Sequence, residues 1–212
     1  MDGVIVDSMP YHFIAWYEAL RPFGIRVSCF DVYSKEGERW EKTLIDLLKR
    51  AKLKPTKAVL KKIFLERQRI FKSYFKRFIF QGVEAAIRCL KKRGYLLGLV
   101  TGTPQEEIKK ILPLHLRGLF DCIVGGDEVK NGKPHPEPYL RAAKHLKVRP
   151  FDCMVIENAP LGITSAKKAG MFCVALTTSL PKEYLKAADI IIDSLDELNG
   201  IVEKACVSSR AL

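Results

Sequence analysis

The amino-acid sequence predicts an α/β fold, a parallel β-sheet with helices on both faces, and two observations lead to this prediction. After Gln81 and Gly82, short apolar runs alternate with helical patterns, and a long stretch before them shows helical spacing of its apolar residues. Alternating strands and helices are typical of parallel sheets, because each parallel pair needs a crossover connection. The length of 212 residues suits one large domain or a domain with a sizeable insertion, and we expect the second.

The composition indicates a soluble globular protein, with 48% apolar and 28% charged residues and no low-complexity tract. No apolar run approaches the roughly 18 residues that a membrane span requires, and the N-terminus lacks the pattern of a signal peptide. We therefore expect a cytoplasmic protein with no membrane partner, and we favour a monomer.

The first residues read "MDGVIVDS", in which an Asp-Gly pair precedes three apolar residues and a second acid. Such a pattern could begin a phosphate-handling loop, although that loop normally follows a buried strand. Ser8 is suited to cap a first helix, with Pro10 early in that helix.

The stretch from Lys49 to Phe78 predicts a long amphipathic helix that carries most of the net charge of +12. From Lys49 to Arg77 there are twelve lysines and arginines against one acid, Glu66. We interpret these cations as a solvated face, with steering of anionic substrates as the alternative. Nucleic acid is an unlikely partner, because the aromatic residues fall on the apolar stripe: Leu60, Ile63, Phe64, Ile70, Phe71, Tyr74, Phe75 and Phe78.

Five apolar runs predict the strands of the sheet, and ligands of such sheets bind beyond the carboxyl ends of the strands. The functional residues are therefore expected directly after each run. The strands are predicted over 95–100, 122–126, 153–157, 172–176 and 189–193, and the helices near 83–93, 104–112, 136–147, 161–169 and 181–187.

Residues suited to an anion follow the first two predicted strands. Thr101 and Gly102 come directly before Thr103 and a proline at a plausible helix start, where unpaired N–H groups favour negative charge; a plain helix cap is the alternative. Lys133 lies between a glycine and a proline in the turn after the second strand. A lysine held in this way could neutralise a phosphate, although most lysines are only solvated.

Two adjacent oxygen-bearing side chains, Glu157 and Asn158, follow the third predicted strand. Carboxylate and amide oxygens suit a hard cation such as Mg²⁺, and a turn with a helix cap is the alternative.

Four segments in this order, "DGVIVDS", "LVTGT", "GKPHPEPYL" and "VIENAPLGITSAKKAG", resemble the haloacid dehalogenase superfamily, particularly its branch like beta-phosphoglucomutase. The resemblance covers nearly the whole chain. It implies a Rossmann-like parallel sheet core formed by residues 1–8 and 81–212, with an inserted helical cap domain at residues 9–80.

The resemblance also implies an activity, that of a Mg²⁺-dependent phosphatase acting on a small phosphorylated metabolite, sugar phosphates being the first candidates. Asp2 matches the family's general acid/base, in a reaction that passes through a phosphoaspartyl intermediate. Thr101, the backbone N–H of Gly102 and Lys133 would hold the phosphoryl oxygens. The backbone carbonyl of Asp2, Glu157 and Asn158 would hold Mg²⁺, although the family commonly has Asp where Asn158 stands.

The cap residues His12 and Arg39 lie near positions where relatives contact substrate, and His12 with Trp16 could instead form a packed hinge. Two further functions stay open beside hydrolysis. A phosphosugar mutase would need a cap that binds a bisphosphorylated intermediate, and a catalytically inactive protein of this fold would bind phosphate or metal without turnover.

The resemblance places the family's nucleophilic aspartate immediately before Met1, so we expect the natural chain to begin about one strand earlier. The sequence from Met1 should then hydrolyse phosphate esters poorly, whereas a chain extended by an apolar strand ending in Asp should show Mg²⁺-dependent hydrolysis. Phosphate release from an aryl phosphate, with Mg²⁺ and with chelator, measures this difference. An extension ending in Asn is the matched control, and equal activity in all three chains would contradict the expectation.

Overall fold

The computed structural model describes residues 1–198, 200 and 201, and its first part is helical. A 3₁₀ turn, Arg21–Phe23, follows the first helix. α1 packs mainly against α4, the long helix that the sequence predicts. The four helices of this part are α1 (Met9–Leu20), α2 (Cys29–Tyr33), α3 (Trp40–Arg50) and α4 (Lys57–Tyr74).

The second part alternates strands and helices as predicted. None of the described helices combines the length and the apolar character that crossing a membrane requires. The elements are α5 (Val83–Lys92), β1 (Gly98–Val100), α6 (Gln105–Ile111), α7 (Leu114–Arg117), β2 (Cys122–Val124), α8 (Glu137–Leu146), β3 (Met154–Glu157), α9 (Pro160–Lys168), β4 (Phe172–Leu176) and β5 (Ile190–Ile192).

Every strand pair is parallel, which confirms the predicted α/β class, but the strands form two sheets instead of the single sheet expected. One sheet has the order β1-β2 and the other β3-β4-β5. The first residues of the chain lie between the two sheets, at the carboxyl ends of the strands. There Asp2 contacts Thr101, which follows β1, and Gly3 lies against Asn158, which follows β3. Val100 of β1 nevertheless packs on the apolar cluster of the second sheet, so the two sheets share a core.

Two helix predictions differ from the structure. The predicted helix at 181–187 is a single 3₁₀ turn, Lys182–Tyr184. The long helix, predicted from Lys49, begins at Lys57 and ends at Tyr74, and Lys49 and Arg50 belong to α3. Tyr74 and Phe78, expected on the apolar stripe, are 55% and 59% exposed. After this helix the chain extends and pairs with the N-terminal loop. The Asp7 N–H donates to the Phe78 carbonyl and the Phe80 N–H to the Ile5 carbonyl, and this pairing removes residues 75–78 from the predicted helix.

The largest apolar cluster joins the helical first part to the sheet. It contains Val6 of the N-terminal loop, Leu20 and Ile63 of helices α1 and α4, and Leu99 and Ile108 of the second part. Because all five are nearly inaccessible to solvent, burial of this cluster holds the helices over one end of the sheet.

Helix α9 approaches the carboxyl end of β3 so closely that only glycine fits at one position. A Cβ built on Gly162 would lie 2.1 Å from the Glu157 carboxylate, well inside contact distance. The glycine in "PLGITS" therefore allows the buried acid to lie against the first turn of the helix.

Gly162→Ala should lower the free energy of unfolding by about 1–3 kcal/mol, since the gain in helix propensity is outweighed by overpacking against a buried carboxylate. Urea denaturation measures the change. Gly118→Ala is the control, because its Cβ would meet the nearest atom at an ordinary 3.5 Å. Equal effects of the two substitutions would contradict the steric explanation.

Candidate active site

A tight N-terminal turn places Asp2 in the interior. The N–H groups of Val4, Ile5 and Val6 all donate to the Met1 carbonyl, and Gly3 has φ +69°, a conformation that favours glycine. A Cβ on Gly3 would lie 2.0 Å from Asn158 Nδ2, so the Asp-Gly pair is required both by the turn and by the neighbouring strand end.

The Asp2 carboxylate is buried and collects four side-chain contacts. Ser8 Oγ donates to Oδ1 at 2.6 Å, and His12 Nε2 lies 3.3 Å from the same oxygen. Thr101 Oγ1 and Thr103 Oγ1 donate to Oδ2 at 3.3 and 3.1 Å. Burial alone would raise the pKa of Asp2, but the His12 and Ser8 hydrogen bonds hold this pKa far below its ordinary value. The carboxylate is therefore ionised in this arrangement.

Ser8 differs from its predicted role as a helix cap. It occupies the N-cap position of α1, yet its hydroxyl makes no capping bond and donates to Asp2 instead. The helix begins without a side-chain cap because a proline stands in its first turn, where one N–H is absent in any case. Sequence reasoning also missed Thr103, whose hydroxyl adds to that of Thr101.

His12 lies between Asp2 and a buried cation of helix α4, Arg67. Arg67 Nη2 donates to His12 Nδ1, and a guanidinium has donors only. Nδ1 must then be the accepting nitrogen, so Nε2 carries the hydrogen and donates to Asp2. The imidazole also stacks on Phe71 with ring centroids 4.6 Å apart, and the guanidinium lies over Trp16, 5.6 Å from its ring centroid. His12 is thus held in one orientation between Arg67 and Asp2.

The second buried cluster surrounds Lys133 and Glu157 at the tips of the strands. Lys133 Nζ and the Tyr139 hydroxyl both lie 2.5 Å from Glu157 Oε1, and the Asn158 N–H donates to Oε2 at 3.0 Å. Burial would raise the pKa of Glu157, but the Lys133 ammonium and the Tyr139 hydroxyl hold it below its ordinary value. Burial and the adjacent Glu157 raise the pKa of Tyr139. Both oxygens of Glu157 are engaged.

The loop between α2 and α3 closes over this region. A Cβ on Gly102 would lie 3.1 Å from the Gly37 Cα, and a Cβ on Gly37 would lie 2.5 Å from the Lys133 Cδ. Arg39 Nη1 donates to the Lys130 carbonyl at 3.1 Å. The predicted residues Arg39, Gly102 and Lys133 therefore lie at one contact between the helical part and the strand tips.

The chain matches the model of a known protein family. The model of the haloacid dehalogenase-like hydrolases matches residues 1–170. The chain belongs to this family. It is 30% identical over 215 residues to a phosphorylated carbohydrates phosphatase of Thermotoga maritima, with 96% of both chains covered. It is 31% identical over 182 residues to a fructose-1-phosphate phosphatase of Escherichia coli, covering 82% of this chain and 92% of that one.

A solved haloacid dehalogenase relative shows the same fold. The crystal structure of beta-phosphoglucomutase from Clostridium difficile superposes with a TM-score of 0.83 at 28% identity, covering 96% of this chain and 93% of that one. The chain is an enzyme of the haloacid dehalogenase-like hydrolases. Its α/β fold with an additional helical part is similar to that of this relative.

The described residues contain no cluster of three or more acidic, histidine or cysteine side chains arranged to hold a metal ion. Two oxygens at the strand tips nevertheless suit a hard cation. The Asp2 backbone carbonyl and Asn158 Oδ1 accept no hydrogen bond within the described part of the chain, while Asn158 Nδ2 donates to Ser179. Mg²⁺ takes oxygen ligands only, usually one or two protein carboxylates with several waters and substrate phosphate oxygens. The donor chemistry therefore fits Mg²⁺ at Asp2 and Asn158, whereas Glu157 offers no unengaged oxygen.

Glu157→Gln should lower the free energy of unfolding at pH 7 by about 3–5 kcal/mol, because it leaves the buried Lys133 ammonium without its countercharge. Urea denaturation measures the loss. Glu183→Gln, an exposed acid, is the control. The double variant Glu157→Gln, Lys133→Met should lose less than Glu157→Gln alone, and a larger loss would contradict the ion-pair explanation.

The ion pair of Lys133 and Glu157 also predicts that the free energy of unfolding depends on pH. The folded-state pKa of Glu157 is lowered, so the unfolded chain binds more protons in acid. The stabilisation is present above the ordinary glutamate pKa of 4.5 and is lost as the pH falls from there through the folded-state pKa. Stability of the unmodified chain should therefore decline below pH 4.5 more steeply than that of Glu157→Gln. Parallel declines would contradict the assignment.

Proposed function

We propose that this haloacid dehalogenase-like hydrolase is a Mg²⁺-dependent phosphatase of small phosphorylated metabolites, with sugar phosphates as the first candidates. Two phosphatase relatives, one of phosphorylated carbohydrates and one of fructose 1-phosphate, support this substrate class. We further propose that residues 9–80 form a cap over a core of residues 1–8 and 81–212, of which 199 and 202–212 lie outside the described residues.

One observation carries the proposal: the buried Asp2 carboxylate meets the hydroxyls that follow β1. Asp2 is 3% exposed, and both threonine hydroxyls of the "TGT" segment donate to it. An ionised acid held beside small hydroxyl donors and a strand tip is suited to move a proton at a bound phosphate ester.

In this proposal the polar residues around Asp2 and Lys133 each have a defined task. The Thr101 hydroxyl, the Gly102 N–H and the Lys133 ammonium bind the phosphoryl oxygens and stabilise the charge that develops there. A bound phosphoryl anion raises the pKa of Asp2, so that Asp2 takes up a proton from solvent; it gives this proton to the leaving oxygen and then takes one from the attacking water. His12 orients Asp2 through Nε2.

The metal has a supporting part. Mg²⁺ held at the Asp2 carbonyl and Asn158 Oδ1 would offset the repulsion between anionic reactants. The cap residues keep bulk water from the site, since the Gly37 loop lies on Gly102 and Lys133.

Substitution of the proposed residues tests the function in the chain extended upstream by a strand ending in Asp. Asp2→Asn should lower kcat by about 10²–10⁴-fold for a sugar phosphate, the size of one general acid/base contribution. Lys133→Ala should also lower turnover strongly, because a buried phosphoryl charge loses its cation. Phosphate release with Mg²⁺ and with chelator is the measurement.

Lys130→Ala is the matched control, an exposed lysine of the same loop, and it should retain activity. Rates of Asp2→Asn and Lys133→Ala equal to those of the control would contradict the assigned roles. Metal-dependent phosphate binding without turnover in the extended chain would instead favour an inactive binding protein.

A further inference from the structure

The outer side of helix α4 and the segments that flank it carry a dense group of cations. Between residues 49 and 77 there are twelve lysines and arginines, and all but Arg67 are exposed. The same stretch contains one acid, Glu66, and Arg69 pairs with it. Eight of the exposed lysines form no ion pair and no side-chain hydrogen bond with any residue that the structure describes. They are Lys49, Lys52, Lys54, Lys57, Lys61, Lys62, Lys72 and Lys76.

The cations within α4 share one side of the helix, which we call the basic face. They recur at intervals of three and four residues, and residues at this spacing lie on the same side of a helix. Leu65, 52% exposed, stands in the middle of them. The face extends about 22 Å along the helix axis, at about 1.5 Å per residue. The basic face consists of Lys57, Lys61, Lys62, Leu65, Arg69 and Lys72.

The basic face points away from the candidate active site. On the opposite side of α4, Arg67 donates to His12 and Phe71 stacks on the same imidazole. These contacts turn that side of α4 towards helix α1 and Asp2. The lysines of the basic face therefore lie away from a phosphate bound at the strand tips, and contact with the substrate does not account for them.

The length and the charge of the basic face match an extended anionic surface. A small anion would contact only one or two of the ammonium groups, because they are spread over about 22 Å. A second copy of the chain carries the same positive charge here and is repelled. A straight helix can lie along a flat anionic surface with all of its outward lysines in contact. Clusters of about four to eight lysines or arginines on a helix are typical of binding to anionic phospholipids.

Three features favour a phospholipid surface over a nucleic acid. Phe64 and Phe71 of α4 stack on rings of helices α3 and α1, so these aromatic side chains are not platforms for bases on the basic face. The guanidinium of Arg69 is engaged by an acid of its own helix, which leaves it unsuited to a bidentate contact with a base edge. Leu65 adds apolar surface that suits the boundary between lipid headgroups and acyl chains.

We propose that the basic face of α4 binds the surface of an anionic phospholipid bilayer. Its lysines contact the anionic groups of the lipids, and Leu65 enters the interfacial region. This binding is peripheral and needs no membrane-spanning helix, and it revises the expectation from the sequence that the chain has no membrane partner. It is independent of the proposed phosphatase function, because the basic face points away from the strand tips.

Sedimentation with vesicles tests the proposal. The chain is mixed with vesicles of phosphatidylcholine and with vesicles of equal parts phosphatidylcholine and phosphatidylserine, and the bound fraction gives a partition coefficient for each. The anionic vesicles should bind the chain at least about 100-fold more tightly, since each lysine near an anionic surface contributes about fivefold. Added salt should weaken the binding, because it screens exposed charges.

A variant with three lysines of the basic face replaced should bind the anionic vesicles about 100-fold more weakly. It combines Lys61→Gln, Lys62→Gln and Lys72→Gln. A matched control has the same net charge but replaces exposed lysines outside α4, and its partition coefficient should stay within about threefold of that of the unmodified chain. The control combines Lys144→Gln, Lys168→Gln and Lys186→Gln.

Leu65→Ser tests the apolar contact and should lower the partition coefficient by about tenfold, since one leucine side chain no longer leaves water. Leu140→Ser, at a 40% exposed position of α8, is the control and should bind as the unmodified chain does. All of these side chains are exposed, so the variants should keep the far-ultraviolet circular dichroism spectrum of the unmodified chain.

The contrary outcomes are specific. Equal binding to both kinds of vesicle, or equal losses in the lysine variant and its control, would overturn the proposal. A DNA duplex or polyglutamate, added at the same concentration of negative charge as the lipid, should leave most of the chain on the vesicles. Release of most of the chain by the duplex would overturn the proposal in favour of a nucleic acid, and release by polyglutamate would overturn it in favour of an acidic protein segment.

Discussion

The hydrogen-bonded burial of the Asp2 carboxylate is the constraint on which the site depends. A buried charge is costly unless it is hydrogen-bonded, and Asp2 obtains its donors from separate parts of the chain. Ser8 and His12 belong to the loop and helix that follow Asp2, whereas Thr101 and Thr103 come from the end of β1 about a hundred residues later. Satisfying one charge thus fixes the N-terminal turn, helix α1 and the sheet relative to one another.

The contacts continue from Asp2 into the helical part. His12 accepts from Arg67 and donates to Asp2, and the Arg67 guanidinium in turn lies over the Trp16 ring of helix α1. The group that aims the proposed acid/base is therefore itself held by a buried cation of helix α4. The orientation of Asp2 therefore depends on packing within the helical part as well as on the strand tips.

The sequence allowed local features to be predicted better than the contacts between them. Thr101, Lys133 and Glu157 were found because the tips of parallel strands converge, a property of topology. Arg67 was counted among solvated cations, although it stands four residues after Ile63 and four before Phe71 and so falls on the buried stripe. Its position on the stripe predicts a buried side chain, but a count of charges does not take position into account. The Ser8 contact with Asp2 had no such signal, because the turn of residues 1–6 creates it.

Tertiary contacts decide which of the two side chains after β3, Glu157 or Asn158, can bind a cation. Glu157 and Asn158 were both expected to bind Mg²⁺, and their composition alone does not distinguish them. In the structure Lys133, Tyr139 and a backbone N–H engage both Glu157 oxygens. Moving Glu157 to a cation would leave a buried ammonium unpaired, a cost that a single metal–oxygen contact has to exceed. We infer that Glu157 holds Lys133 at the phosphate position and that the amide oxygen of Asn158 is the one available to a cation.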